Sequence, residues 1–376
     1  MQKALQFIAQ IASLPTAPYC EGRVMAWLEA WAGKLRGGAA VGIQRDKHGN
    51  LLVRYRHPEA RQPVAFVAHT DHPGFEITGW ESAQMARATF HGGVAREYFK
   101  RGTKVALFDG DGQRVAAAQI ARVGDWAVKE IFLKVAGGKP GASKKAIDQK
   151  KAVFGMWDIP PFQRRGNLLR ARVCDDLMGV AAICAGIEQM VRDEARADVT
   201  GIFTRAEEVG FIGAQALLQG KLLPRKTIVI SVENSKALAH ARTGDGPVVR
   251  VGDRSSIFDP GVTAGLCAAA EQIARVDGKF RFQRRLMDGG SCEGTVFRLA
   301  GYRTGAICLP MGNYHNMAKR GKIGPESVDF RDWAGLVRLI VAFGREPGTQ
   351  IAEGELKKRL VNLAASGMRK LLIPKN

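Results

Sequence analysis

The amino-acid sequence predicts an α/β fold into which a second, all-β unit is inserted. In the second half of the chain, apolar runs typical of buried strands alternate with helical patterns, as in "VTGIFTRAEE" followed by "GAQALLQGKLL". Residues 76–163 instead contain short strand-like runs between Gly-rich turns, which indicates a small β-barrel or sandwich. Carboxylate and imidazole side chains follow several apolar runs. Because ligand sites in α/β sheets lie at strand ends, these side chains predict a functional site.

The insertion splits the predicted α/β domain into residues 1–75 and 164–345. The first segment contains two amphipathic helical patterns, a hairpin around "HGN" and the strand "PVAFVAH". The second contains the helix "LMGVAAICAGIEQMVRD", the strand "KTIVISVENS" and a closing helix, "FRDWAGLVRLIVAFGRE". The sequence of residues 346–376 predicts a short basic amphipathic extension.

The composition argues against several classes of protein. Hydrophobic residues make up 46% of the chain and charged residues 24%, which is ordinary for a globular protein. No apolar run approaches the roughly 20 residues of a membrane span, and the amphipathic N-terminus lacks a signal-peptide cleavage site. The six cysteines are scattered without C-x-x-C spacing, so we expect reduced thiols and a cytoplasmic protein.

The net charge of +20 favours acidic partners, among them acidic peptides. The alternative is an ordinary solvated surface that happens to be basic. The sequence contains no Lys/Arg-rich tail, aromatic-interleaved RNA motif or zinc-finger spacing, and it therefore gives no support to a dedicated nucleic-acid binder.

Buried-looking polar groups recur at the predicted strand and loop ends. Burying so many carboxylates without cations is costly, and two divalent metal ions would offset that cost. Imidazole and carboxylate suit zinc, with cobalt and manganese as alternatives. Of two adjacent glutamates, one would bind a metal ion and the other would activate water. The polar groups are His69 with Asp71, Asp175 with Asp176, Glu207 with Glu208, Glu233, and His315.

The order and spacing of these motifs resemble those of the tetrahedral-assembly deblocking and glutamyl aminopeptidases, the family-forty-two co-catalytic zinc metallopeptidases. The resemblance spans residues 10–345 and rests on "HTDHPGF", "CDDLMGV", "AEEVGFIGA", "SVENSKA", "DGGSCEGTVF" and "NYHN". It implies a zinc-exopeptidase-like three-layer α/β/α domain with an inserted small β-barrel used for dimerisation. It also implies a homo-oligomer, either a dimer or a dodecamer.

The resemblance implies a metal-binding role for five residues. His69 and Glu233 would bind one ion, and Glu208 and His315 would bind the other. Asp175 would bridge the two ions.

The same resemblance assigns catalytic roles to two neighbouring carboxylates. Glu207 would be the general base, taking a proton from water and passing it to the leaving amine. Asp71 would orient His69 through the second ring nitrogen of that histidine.

Several residues depart from the family pattern close to this site. Leu177 stands where an arginine is usual, and His72 where an acidic residue is common. Asn316 follows the last histidine in place of the usual Ser-Pro, and Glu233 replaces an aspartate. These departures leave metal binding intact and leave the substrate class open.

The leading hypothesis is therefore a dinuclear metal-dependent aminopeptidase that acts on short peptides. One alternative is a metal-dependent deacylase of N-acyl amino acids. Another is a catalytically inactive basic binding protein on the same fold, against which the retention of Glu207 argues, since a binding module does not need a general base.

Overall fold

The computed structural model describes residues 2–35, 41–136, 151–348, 354 and 357–364. The helices are α1 (Gln2–Ala12), α2 (Gly22–Leu35), α3 (Leu177–Arg192), α4 (Ile212–Gln219), α5 (Pro260–Val276), α6 (Glu293–Leu299) and α7 (Phe330–Arg345). The strands are β1 (Val41–Arg45), β2 (Leu51–Arg56), β3 (Pro63–His69), β4 (Gly74–Ser82), β5 (Met85–His91), β6 (Lys104–Phe108), β7 (Arg114–Val123), β8 (Glu130–Val135), β9 (Phe154–Trp157), β10 (Phe162–Arg165), β11 (Leu168–Ala171), β12 (Asp198–Thr204), β13 (Ile228–Lys236), β14 (Val248–Asp253), β15 (Gln283–Met287), β16 (Arg303–Met311), β17 (Met317–Ala318), β18 (Lys322–Ile323) and β19 (Glu326–Asp329).

The main sheet has the strand order β1-β2-β12-β3-β13-β16-β14-β15. Its central strands β12, β3, β13 and β16 are parallel neighbours. β3 and β12 are buried along their whole length, as expected for strands covered on both faces. Because parallel strands point the same way, their carboxyl ends lie at one edge of the sheet.

Helices cover both faces of this sheet. Alternate residues of β3 divide between two hydrophobic clusters: Phe66 belongs to the cluster with apolar residues of α1, α3 and α7, whereas Val67 belongs to the cluster with residues of α4 and α6. Side chains alternate between faces along a strand, so these clusters lie on opposite sides of the sheet. The predicted three-layer α/β/α arrangement is confirmed.

A closed barrel with the strand order β4-β5-β8-β7-β6-β9 follows β3. Its interior is filled by edge-to-face aromatic packing among Phe75, Phe90, Phe99 and Trp157. The barrel strands begin two residues before the expected start at residue 76. The division of the chain into domains at residues 76 and 163, and the dimerisation role of the insert, remain predictions.

A small sheet, β10-β11-β19, joins the segment after the barrel to the segment before α7. In its register Ala171 pairs with Glu326, so a buried glutamate lies beside the chain that leads to Asp175. Neither this sheet nor α6, β14 and β15 was expected from sequence patterns.

Three other expectations concern the ends, the thiols and the membrane. Of the predicted basic extension, the described residues 357–364 are helical and exposed, and most of the rest lies outside the described residues, as does the predicted turn "GGKPGASKK". All six cysteines are free thiols. Across the described part of the chain, every helix is too short or too polar to cross a bilayer.

Candidate active site

The parallel strands bring the predicted site residues to one edge of the sheet. β3 ends on His69, and β12 ends just before the turn that carries Glu207 and Glu208. β13 contributes Glu233 near its carboxyl end, and the loop after β16 contributes His315. Residues far apart in the chain therefore meet where α/β sheets usually bind ligands.

Five of these side chains form two clusters that share one aspartate. The first cluster is His69, Asp175 and Glu233, and the second is Asp175, Glu208 and His315; in each, one donor atom per residue lies within 4.8 Å of the others. One carboxylate oxygen of Asp175 lies 3.3 Å from His69 Nε2, and the other lies 3.6 Å from His315 Nε2. Asp175 thus faces both clusters at once.

Glu207 lies beside these clusters. It forms a third group of donor atoms with His69 and Glu208, and its Oε2 lies 3.9 Å from His69 Nε2. The carboxylate lines an open cleft, so it can reach a molecule bound there.

The hydrogen bonding of the clusters fits a cation. Three buried metal-donor atoms, Asp175 Oδ1, Glu208 Oε1 and His315 Nε2, make no hydrogen bond of good geometry, although Glu208 Oε1 and His315 Nε2 lie only 3.1 Å apart. Leaving buried polar atoms unpaired costs about 1–3 kcal/mol each, so such atoms call for an explanation. Metal coordination provides one, and carboxylate with imidazole is a donor set that zinc accepts.

The raised pKa values of the carboxylates also fit a site for cations. Burial raises the pKa of Glu207 well above its usual range, and the neighbouring Glu208 and Glu233 add to the shift, although His69 opposes it. Burial likewise raises the pKa of Glu233 to about 8, against the opposing effect of His69. Closely packed carboxylates disfavour one another's ionised forms, and bound cations would reverse this effect.

Neighbouring carboxylates raise the pKa values of the two histidines. Burial alone would lower the pKa of His69, but Glu207, Asp175 and Asp71 together raise it well above its usual value. His315 has its pKa raised in the same way, against burial, chiefly by Glu208 and Asp175. The site is thus a buried region of strong negative potential.

Asp71 holds the turn that carries the two glutamates. Its Oδ1 accepts a hydrogen bond from the backbone N–H of Glu207 at 2.9 Å, and its Oδ2 accepts one from Glu208 at 3.0 Å. His69 Nδ1 lies 3.2 Å from the Asp71 carbonyl oxygen and 3.5 Å from Oδ1. This geometry suits the orientation of His69 by Asp71, which stays a prediction. The hydrogen bonds that Asp71 accepts from the backbone of Glu207 and Glu208 were not expected from the sequence.

The spacing of "DDLMG" has a steric reason. The peptide bond between Asp175 and Asp176 is cis, and Asn234 donates a hydrogen bond to the Asp176 carboxylate. A Cβ atom at Gly179 would collide with that carboxylate. Gly179, in the first turn of α3, therefore leaves room for the buried carboxylate of Asp176 at the start of the helix.

A cleft with about 440 Å³ of empty volume opens onto the clusters. Its lining also includes Ser235, Lys236, Arg250 and Tyr314. Arg250 is buried and donates to Ser235 Oγ at 3.1 Å. The cleft lining thus combines candidate metal ligands with two cationic side chains, Lys236 and Arg250, which we call the cationic wall.

The unusual residues noted in the sequence lie within or behind this site. Leu177, the first residue of α3, is fully buried in the hydrophobic core. His72 and Asn316 are also fully buried and contact each other, with His72 Nε2 lying 3.0 Å from Asn316 Oδ1.

Sequence reasoning missed Glu326 and Arg250 as site-supporting residues. Glu326 accepts hydrogen bonds from the backbone of Asp175 and His315. Neither missed residue belongs to a recognisable short motif, and only tertiary contacts reveal them.

The fold and the site together define a hydrolase of the metallopeptidase class. Residues 126–324, more than half of the chain, match the sequence profile described as M42 glutamyl aminopeptidase. The chain belongs to the M42 glutamyl aminopeptidase family, a metal-dependent family, and is a peptide-bond hydrolase. The resemblance noted in the sequence is thereby confirmed.

Solved structures of aminopeptidases share the fold. The TET aminopeptidase of a marine-sediment Thaumarchaeota archaeon has a TM-score of 0.76 at 18% identity, with 94% of this chain and 99% of that chain covered. The aminopeptidase APDkam598 of Desulfurococcus kamchatkensis has a TM-score of 0.74 at 20% identity, with 93% and 96% covered. The TET1 peptidase of Pyrococcus horikoshii, which can assemble into a tetrahedron or a large octahedral shell, has a TM-score of 0.72 at 21% identity, with 91% and 99% covered.

Proposed function

We propose that the protein is a dinuclear metal-dependent aminopeptidase that removes N-terminal residues from short peptides. The observation that carries this proposal is the pair of donor clusters that share Asp175, with Glu207 beside them. Membership of a metal-dependent peptidase family supports the same conclusion.

The five donor residues divide between two ions. His69 and Glu233 would hold one ion, Glu208 and His315 the other, and the two oxygens of Asp175 would serve both. Zinc is the ion that this donor set favours, with cobalt and manganese as alternatives.

Divalent ions held by these residues would supply Lewis acidity for a scissile carbonyl and for water. Glu207 accepts the proton of the attacking water on a carboxylate oxygen and delivers it to the leaving amine nitrogen. Asp71 keeps Glu207 in reach of the cleft through the hydrogen bond to its backbone N–H. The buried wall of the site limits competing contact with solvent.

The cationic wall of the cleft favours peptides that begin with an acidic residue. Lys236 is exposed, whereas Arg250 is buried, and both line the same cleft as the candidate ligands. A side-chain carboxylate at the peptide N-terminus would find charge complementarity there. The basic character of the whole chain would add long-range attraction.

Assembly and location complete the proposal. The P. horikoshii relative forms multi-subunit shells, and we extend self-association to this chain as a dimer or a dodecamer built through the barrel. The six free thiols suit the cytoplasm.

Replacing the proposed general base is the direct test of function. Glu207→Gln removes proton transfer but keeps the size and polarity of the side chain, so turnover should fall by a factor of about 10²–10⁴ or more. Zinc-loaded wild type and variant are incubated with a defined mixture of short peptides and N-acyl amino acids, and mass spectrometry identifies the products. Zinc content measured by elemental analysis should be the same for both proteins.

Stepwise loss of N-terminal residues by the wild type alone supports the aminopeptidase. Release of acyl groups alone would assign the protein to the deacylases. Peptide cleavage that Glu207→Gln retains would remove Glu207 from the mechanism.

A further inference from the structure

We propose that Glu326, His72 and Asn316 are positioning residues that fix Asp175 against His315 and thereby control the binding of one of the two metal ions. This inference rests on the dinuclear function proposed above. It concerns side chains behind the site, and none of the three belongs to the donor clusters.

Glu326 joins two ligand-bearing segments with one fully buried carboxylate. Its Oε2 accepts hydrogen bonds from the backbone N–H groups of Cys174 at 2.7 Å and Asp175 at 3.0 Å. Its Oε1 accepts a hydrogen bond from the backbone N–H of His315 at 2.8 Å. Three hydrogen bonds from two chain segments converge on this one buried carboxylate, so it links the two segments directly.

His72 makes a second link between the same segments. Its Nδ1 lies 2.8 Å from the backbone carbonyl oxygen of Asp175, and its Nε2 lies 3.0 Å from Asn316 Oδ1. The amide of Asn316 also donates through Nδ2 to the carbonyl oxygen of Arg172 at 3.0 Å, which fixes the direction in which Oδ1 points.

These contacts close a ring. The ring runs from Glu326 to Asp175, through His72 to Asn316, and back through the adjoining residue His315 to Glu326. Both the N–H and the C=O of Asp175 are therefore held, together with the N–H of His315. The ring sets the 3.6 Å separation between Asp175 Oδ2 and His315 Nε2.

The backbone at one side of the ring shows why restraint is needed there. His315 and Asn316 both adopt left-handed conformations, with φ of 54° and 62°. Left-handed conformations are unfavourable for residues other than glycine and persist where the surroundings over-determine them. The ring supplies that restraint on both residues.

The ring acts on one donor cluster more than on the other. It includes Asp175 and His315, whereas His69 and Glu233 lie outside it on β3 and β13. Loosening the ring should therefore weaken the ion shared by Asp175, Glu208 and His315, and leave the other ion bound.

Asn316→Gly is the sharpest variant because glycine tolerates the positive φ while losing the amide. Asn313→Gly is the matched control, since Asn313 has a φ of 54° in the same loop but donates to Pro325 and stands outside the ring. Glu326→Gln is a second variant, because an amide cannot accept all three N–H groups. Equilibrium dialysis against zinc, with elemental analysis, gives the stoichiometry and the two dissociation constants, and circular dichroism checks folding.

Wild type and Asn313→Gly should bind two zinc ions per chain. Asn316→Gly and Glu326→Gln should bind the ion of the His315 cluster about 10–100-fold more weakly, the usual effect of removing a group behind a metal ligand. The other ion, whose cluster shares only Asp175 with the ring, should be weakened less. His72→Ala combined with Asn316→Gly should weaken it by less than the product of the two single effects, because one hydrogen bond joins them.

Unchanged binding of both ions by Asn316→Gly overturns the proposal, as does equal weakening of the two ions. If Glu326→Gln fails to fold, Asn316→Gly decides. A wild type that binds fewer than two ions contradicts the proposed function instead, so the two failures are distinguishable.

Discussion

At the residue scale, site residues differ in how far the sequence revealed them. His69, Glu207 and Glu233 were predicted because each ends or follows an apolar strand, and parallel strands bring such ends together. Glu326 was not predicted, because its partner Cys174 lies 152 positions away and no local pattern marks the contact. Motifs at strand ends identify candidate metal ligands. The residues that position those ligands can be identified only from tertiary contacts.

Asp71→Asn tests the support of the two glutamates. Both oxygens of Asp71 accept backbone N–H groups, and an amide keeps only one acceptor. We expect kcat to fall by about 10–100-fold with a smaller change in KM, because the proton acceptor is displaced while the cleft is intact. Steady-state kinetics on one short peptide measure both constants. A rise in KM at unchanged kcat would contradict the assigned support.

Lys236→Gln tests the cationic wall of the cleft. Lys236 is exposed, so its replacement leaves the buried packing unchanged. We expect KM for peptides that begin with Glu to rise several-fold while KM for peptides that begin with Ala stays constant, because only the former lose a charge partner. Equal changes for both peptides would remove Lys236 from substrate recognition.

At the element scale, helices and strands with long apolar patterns were predicted from the sequence, whereas short polar elements were not. The continuous burial of β3 and β12 follows from their runs of apolar residues. β15 has the sequence QRRLM, and only its first and last residues are buried. Polar and apolar residues do not alternate along it, so the sequence does not predict a strand there. α6 has seven residues, too few to establish a helical period.

Asp329→Ala tests how α7 begins. Asp329 is the N-cap, accepting a hydrogen bond from the backbone N–H of Arg331, and the Arg331 side chain holds its pKa below the usual range although burial opposes the shift. A lowered pKa contributes stability above about pH 4, the ordinary value for Asp, and loses it as the pH falls further. We expect a loss of about 1 kcal/mol in the free energy of unfolding at pH 7.

Urea unfolding at a series of pH values measures that loss. The difference between wild type and Asp329→Ala should shrink as the pH falls below about 4. Asp111→Ala is the control, because Asp111 is exposed in the turn between β6 and β7 and lies at the start of no helix. A difference that grows in acid would contradict the capping role.

At the scale of the whole molecule, the α/β/α architecture and the inserted barrel followed from the sequence. The pattern of long apolar strands, interrupted by short strands with Gly-rich turns, is what separates the two units. The sequence pattern alone left a barrel and a sandwich open, because closure of the six strands depends on pairings such as β4 with β9 across the insert; the family resemblance implied the barrel. The net charge of +20 is visible in the sequence, but its effect on substrates is not.

Salt dependence tests the effect of that charge. The Debye length falls from about 10 Å in 0.1 M salt to about 3 Å in 1 M salt, which removes long-range attraction. Over this range we expect KM for acidic peptides to rise several-fold, while KM for neutral peptides changes little. Equal salt effects on the two peptides would show that bulk charge does not guide substrates.

The central claim is a dinuclear metal centre built around Asp175. Crystals of the zinc-loaded protein, measured on both sides of the zinc absorption edge, locate each ion by anomalous scattering. We expect two peaks, one among His69, Asp175 and Glu233 and one among Asp175, Glu208 and His315. A single peak, or peaks away from Asp175, would contradict it.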